Sequence, residues 1–267
     1  NASDLVDLFI ITTERYLIVF DTGNAPEQMQ EIMEAVKEDL KGRQLLVINS
    51  HQHFDHVWGN VLFVQNYPAP IIGHQKALET ATDAEAKKYL AEEQAKKSFL
   101  ANVELIPPTL TFSATFTIHG SDLTLHLFPT PGHSSDHTSV WIPEIETMLA
   151  ADTAEHPIPY AASDGSIKQL EQDLELLKSF KPKIVLPCHG GTLEPALIDR
   201  NLRYFKTLRE KLAATPFDKN LKPEDVPEAI GWTFENAVQD LSLAGDFGDF
   251  YRGLHVQNIQ SVLKETA

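Results

Sequence analysis

Short apolar runs separated by polar turns organise the first two thirds of the chain. Leu45-Leu46-Val47-Ile48 is continuous enough to form a buried strand, whereas Leu123-Thr124-Leu125-His126-Leu127-Phe128 alternates and predicts a half-buried one. Strands are also expected near 5–12 and 15–20, three or four in all across 109–151, and a last core strand at 183–187. Pro26 opens a helix that carries Ile32, Met33, Val36 and Leu40 on one face. Residues 74–100 are rich in Ala, Glu, Lys and Gln, strong helix formers, and read as an inserted helical segment whose apolar component is Leu78, Tyr89, Leu90, Phe99 and Leu100. A helix follows at about 166–179. Beyond Gly191 the pattern is mostly helical: Leu193 to Leu212, a connection containing Pro and Asp, then helices near 235–244 and 249–264.

The polar residues with the most chemistry stand at the ends of the predicted strands. His51-Gln52-His53-Phe54-Asp55-His56 places four metal-capable side chains in six residues just after the 45–48 run. Alternate side chains on an extended segment point the same way, so His51 and His53 can grip one ion while Asp55 and His56, past a turn, reach a second. Two divalent ions need more ligands than one hexapeptide supplies, which predicts further His and Asp at later strand ends. His133, in Thr130-Pro131-Gly132-His133-Ser134, follows the alternating strand. Asp152 ends Met148-Leu149-Ala150-Ala151, and His189 follows Ile184-Val185-Leu186-Pro187-Cys188 and precedes Gly190-Gly191.

In this order the motifs resemble the metallo-β-lactamase fold superfamily of hydrolases: Asp21-Thr22-Gly23 closing an early strand, then H-x-H-x-D-H, a Gly-His, a lone Asp and a final His, over residues from about 1 to 195. The resemblance implies that His51, His53 and His133 hold a first ion, that Asp55, His56 and His189 hold a second, and that Asp152 bridges both. It implies an α/β fold of the four-layer αββα sandwich type, which the alternation of sheets and helices also fits. Residues 1–195 would form the core, including the 74–100 insertion, and 196–267 a C-terminal helical extension packing on it. Resembling proteins often build the substrate mouth from such C-terminal helices. Tyr251, Arg252 and His255 are therefore candidate substrate contacts, together with His156 and Tyr160 in the loop after Asp152.

Composition narrows the partners. A formal charge of −16 on 267 residues leaves no basic stripe for nucleic acid or an anionic membrane surface. No apolar run approaches the roughly 18 residues of a membrane span, and the first thirty residues lack a signal pattern. The chain begins at Asn1 rather than Met, which leaves room for a removed upstream segment. The single cysteine, Cys188, excludes an internal disulfide and suits a reducing compartment, so a cytoplasmic location is the expectation. Cys188 itself reads as a small buried residue beside a ligand. His137 either supports a ligand or packs structurally, and His74, His119 and His126 read as structural.

Two cations held close together lower the pKa of a bridging water from about 15.7 toward about 7, so the expected nucleophile is a metal-bridging hydroxide. Asp55 is the expected catalytic group, orienting that water and moving its proton. Asp152 lowers the case for a β-lactam specialist, which generally lacks the bridging carboxylate, and His53 stands where electron-transferring diiron relatives usually carry Glu. Acyl-homoserine lactonases commonly carry Tyr three residues after the bridging Asp, where this chain has Glu155. The expectation is a dinuclear metal-dependent hydrolase of a lactone, carboxylic ester or thioester. Alternatives are phosphotriester or β-lactam hydrolysis at the same site, a mononuclear iron oxidoreductase resembling persulfide dioxygenases, and a non-catalytic metal-stabilised scaffold. Zinc is the expected occupant, with iron and manganese fitting the same ligands. The expected partner is a small-molecule substrate, with no nucleic acid and no membrane. Homo-oligomerisation stays open, as does the role of the insertion as lid or dimer contact.

Overall fold

Runs of β-branched, leucine and aromatic residues form the strands in the computed structural model, which describes residues 6–218, 220–239, 241 and 248–265. In chain order the elements are β1 (Phe9–Thr12), β2 (Tyr16–Phe20), α1 (Pro26–Ala35), β3 (Gln44–Ile48), α2 (Phe54–Val57), α3 (Leu62–Gln65), β4 (Ile71–His74), α4 (Ala77–Thr80), α5 (Ala84–Lys96), β5 (Leu110–Phe112) and β6 (Phe116–His119). There follow β7 (Thr124–Pro129), β8 (Thr138–Ile142), β9 (Thr147–Leu149), α6 (Ile167–Ser179), β10 (Ile184–Leu186), α7 (Ala196–Ala214), α8 (Val226–Ala229), α9 (Phe234–Val238) and α10 (Gly248–Glu265). The chain is α/β, with two mixed sheets ordered β1-β2-β3-β4-β5 and β10-β9-β8-β7-β6, as the sandwich expectation requires. It divides into two compact units, one of Val6–Pro129 with Asp136–Thr147, the other of Thr130–Ser135 with the chain from Met148 onward. No helix among the described residues is long and apolar enough to cross a membrane.

In the first unit β2 is central: it pairs antiparallel with β1 and parallel with β3, and Leu17, Ile18, Val19 and Phe20 are all fully buried. A strand covered on both faces needs a continuous apolar run, and this one has it. The register Phe20↔Ile48 brings Asp21, at the end of β2, level with the residues leaving β3. Helix α1 starts on Pro26, whose fixed φ suits the first helical turn, and buries Met29 and Met33 against Leu17, Val19, Val47 and Ile71. The expected face is present, with Ile32, Val36 and Leu40 partly buried on the same cluster, although the helix stops at Ala35. In β7 the alternation buries Leu125 and Leu127 and leaves His126 half-buried between β6 and β8. The insertion is helical, opened by Asp83, whose carboxylate accepts from Ala86 N at 2.7 Å, and it lays Leu90 and Leu100 on Val57 and Trp58. The sequence reading missed α2, α3 and β4 because four residues are too few to show a period.

In the second unit α6 is capped by Ser166 and buries Ile167, Leu170, Leu174 and Leu177 along one stripe. Arg209 of α7 bonds Glu171 of α6 at 2.6 Å and Glu265 of α10 at 3.1 Å, joining three helices. The helix expected at 193–212 is observed as α7. Of the helix expected at 235–244, Phe234–Val238 is observed, opened by a reciprocal cap between Thr233 and Asn236, while 240 and 242–244 lie outside the described residues, as does 5 of the first expected strand. The turn before His133 rests directly on α6: a Cβ on Gly132 would sit 2.2 Å from Leu170 Cα. Gly132→Ala has backbone in its way and should cost about 2 kcal/mol or more, read as a lowered midpoint in thermal or urea unfolding. An unchanged midpoint would show that this packing is looser than described.

Candidate metal centre

Each unit carries part of the donor set, and in each the same device orients the imidazoles. In the first unit the chain leaves β3 through Asn49 and Ser50, runs extended through His51 to His53, then turns into α2, which carries Asp55 and His56. The His51 ring lies 4.4 Å from that of His53 and 4.1 Å from that of His56, centroid to centroid, and His56 Nε2 is 3.7 Å from Asp55 Oδ1. Asp21 explains their orientation. Its carboxylate accepts from Ser50 N and Ser50 Oγ, both at 2.7 Å, and meets His56 Nδ1 at 2.9 Å. The single hydroxyl proton of Ser50 goes to Asp21, so Ser50 Oγ accepts from His51 Nδ1 at 2.9 Å. Both histidines are thereby held as Nδ1–H tautomers that turn the Nε2 lone pair outward. Asp21 does this from a left-handed backbone, φ +62°, a conformation that costs free energy outside glycine and is retained where neighbours over-determine it.

The second unit repeats the logic with a main-chain acceptor. The Tyr160 carbonyl accepts from His133 Nδ1 at 3.0 Å, which again leaves Nε2 as the lone pair available to an ion. Asp152 Oδ2 lies 3.6 Å from His133 Nε2 and 3.6 Å from His189 Nε2. These separations are too long for direct hydrogen bonds. They are close to the roughly 3.4 Å that separates two ligands set tetrahedrally at about 2.1 Å from one ion. Asp152 follows Ala151, another left-handed residue at φ +44°. Asp21, Asp55, Asp152, His51, His56 and His133 are all buried, and acidic groups at that depth fit a site that takes cations.

The loop after Asp152 is stitched to α10. Gln257 Nε2 donates to Ala161 O at 2.7 Å, Asn258 Nδ2 to Pro159 O at 2.8 Å, and Tyr251 OH to Glu155 Oε1 at 2.8 Å. Asn201 clamps the Glu155 main chain from α7 through bonds of 2.9 and 2.8 Å. Tyr160 thus stands beside His133, ring to ring at 4.8 Å, and its carbonyl is the contact that matters most. Burial and the Arg200 guanidinium hold the His156 imidazole below its ordinary pKa. Tyr251 is buried, and burial together with the Glu155 charge drives its phenol far up, so it remains a donor.

His255, expected at a pocket rim, is instead buried, its Nε2 donating to Trp232 O at 3.0 Å and its Nδ1 accepting from Tyr204 OH at 2.9 Å. Arg252, expected at the same rim, pairs with Glu235 at 2.6 Å and Asp249 at 3.3 Å on the surface. His137 is buried, with its ring 5.0 Å from that of His51, and Cys188 is a buried free thiol. Sequence reasoning missed Ser50 as a support and placed Asp21 only as the close of a strand.

The family model described as Metallo-beta-lactamase superfamily matches residues 4–189, and the chain belongs to that superfamily. Among curated proteins it is similar to the human acyl-coenzyme A thioesterase MBLAC2, 23% identical over 212 residues that span 72% of this chain and 75% of the relative. Among solved structures it is similar to a metallo-beta-lactamase family protein from Thermus thermophilus, with a TM-score of 0.67 at 15% identity over 98% of this chain and 89% of that one. It is also similar to a metallo-beta-lactamase from Pontibacter korlensis, with a TM-score of 0.57 at 20% identity over 74% and 91%. These structures share the fold.

Asp21→Asn keeps a residue that tolerates the left-handed backbone but weakens the hold on His56 and Ser50. Metal affinity should fall about 10- to 100-fold with an unchanged far-UV circular dichroism spectrum, measured by chelator competition. Next to His133, the Asp173 carboxylate accepts from Gly132 N at 2.7 Å, and burial raises its pKa from 3.8 to about 6. Between those values the folded chain binds the extra proton, so this group's contribution to stability should decline as pH rises from about 4 to about 6. Unfolding midpoints of Asp173→Asn minus those of the parent, at pH 4, 5, 6 and 7, should rise as that contribution is lost, and a flat difference would contradict it.

Proposed function

We propose that this chain is a dinuclear metal-dependent hydrolase of a small ester-like substrate, a lactone, carboxylic ester or thioester. The observation that carries the reading is that His56 and His133, each fixed through Nδ1, and His189 bring their Nε2 atoms to 3.6–3.7 Å from the Asp55 and Asp152 carboxylates. In this reading His51, His53 and His133 hold one ion, Asp55, His56 and His189 a second, and Asp152 both, as the resemblance implies. Residues 1–195 form the metal-binding core and 196–267 a helical extension that braces it. The donor set, imidazole with carboxylate, suits zinc, and iron or manganese less selectively.

Divalent ions bound there would supply Lewis acidity and a water of lowered pKa. Asp55 then orients the attacking water and takes its proton at a carboxylate oxygen, and returns it to the alkoxide or thiolate that leaves as the acyl–oxygen or acyl–sulfur bond breaks. The protein's own part is orientation: Asp21, Ser50 and the Tyr160 carbonyl hold the imidazoles, while α10 and Asn201 hold the loop that carries His156 and Tyr160. Similarity to a human thioesterase supports the thioester arm.

Metal analysis should find close to two equivalents per chain, and Asp152→Ala should lose most of the metal and nearly all turnover. A panel of lactone, ester, thioester, phosphotriester and β-lactam substrates should give turnover in the first three classes. No turnover of any of them by fully metallated protein would defeat the proposal, and oxygen uptake with glutathione persulfide at one iron per chain would replace it.

A further inference from the structure

The helical insertion packs beside the ligand loop, and between them lies a cavity of about 250 Å³. It is lined by His53, Phe54 and Trp58 of the ligand loop and the turns after it, by Glu85 and Tyr89 of α5, and by Leu105. Phe54, Trp58 and Tyr89 pack on one another with ring centroids 5.1, 5.6 and 5.8 Å apart in tilted and edge-on arrangements, which makes one aromatic cluster along the cavity. Trp58 is buried beneath it, and Tyr89 is 41% exposed at the mouth.

The lining also sets the charge of the occupant. Among the described residues around the cavity there is one carboxylate, Glu85, and no lysine or arginine. An anionic group would find no lysine or arginine there and would meet Glu85, whereas an uncharged apolar group replaces water on ring faces. Size points the same way, since an apolar cavity of about 150 Å³ admits a benzene ring. The larger space here has room for a medium-length acyl chain.

We propose that this cavity binds the neutral, apolar acyl group of the substrate, with the scissile carbonyl at the His53 end; this rests on the hydrolase reading above. The insertion then selects substrate by the acyl tail. Each CH₂ buried against the rings should raise kcat/KM about fourfold until the cavity is full.

The test uses the metal-loaded full chain and esters of one alcohol with acetyl, butyryl, hexanoyl and octanoyl groups, together with the adipoyl half-ester. The expected result is a rise to hexanoyl or beyond, and an adipoyl rate at least tenfold below hexanoyl. Ala86→Trp, which fills the cavity, and Tyr89→Ala, which removes one aromatic ring from its lining, should each lower the hexanoyl-to-acetyl ratio, the former at least tenfold, with unfolding midpoints showing that both variants are folded. Binding is read independently through Trp58: 6-bromohexanamide should quench fluorescence saturably in the parent and not in Trp58→Phe. A flat chain-length profile in an active enzyme, an unchanged ratio in both cavity variants, or absence of Trp58 quenching would overturn the proposal. Failure of every ester, with quenching retained, would overturn the hydrolase reading and leave the cavity as an apolar-ligand site.

Discussion

An imidazole can present either nitrogen to an ion, and in this chain the choice is made by what sits on Nδ1. Ser50 Oγ lies 2.9 Å from that atom of His51, Asp21 2.9 Å from that of His56, and the Tyr160 carbonyl 3.0 Å from that of His133. Each partner is an acceptor, so each ring keeps its proton on Nδ1 and its lone pair on Nε2. Three different acceptors, a hydroxyl, a carboxylate and a main-chain carbonyl, produce one tautomer. A ring turned by half a revolution would offer N–H where an ion would need a lone pair.

Such orientation has a conformational cost, part of it carried by residues next to the candidate ligands. Asp21 and Ala151 both occupy the left-handed region without being glycine, one at the close of β2 and one immediately before Asp152. Buried polar groups hold Asp21 in place. Asp21 is fixed by Ser50 and by Ile48 O, which accepts from its amide at 2.8 Å. In the second unit the support is more distant in sequence. Asn258, Gln257 and Tyr251 of α10 bind the 155–161 loop, and Tyr204 links Asn258 to His255 through bonds of 3.1 and 2.9 Å. The C-terminal helix therefore acts on His133 through a loop carbonyl.

How legible each feature was follows from the range of the force behind it. Strand β2 and helix α1 were readable because burial imposes a period on consecutive residues, and Leu17 to Phe20 or Met29 and Met33 display it locally. Elements of four residues, such as α2 and β4, show no period and emerged only with their neighbours. The metal-capable residues were readable because metal coordination would demand particular side chains at strand ends, which leaves a composition too specialised to overlook. His255 shows the opposite case: a histidine late in the chain suggested a rim, but Tyr204, Trp232 and Phe234 enclose it, and no local pattern announces contacts made across 51 residues.

By itself the sequence determined the identity of the metal-capable residues, the longer strands and helices, and the resemblance to the metallo-β-lactamase superfamily, since all three rest on residue type and short-range spacing. Only the tertiary structure decided which nitrogen each histidine presents, that Asp21 and Ser50 are the reason, and that the insertion forms an aromatic-walled cavity beside His53. Hydrogen-bond direction and cavity shape depend on groups brought within about 3 Å from distant parts of the chain, and no linear pattern encodes that proximity.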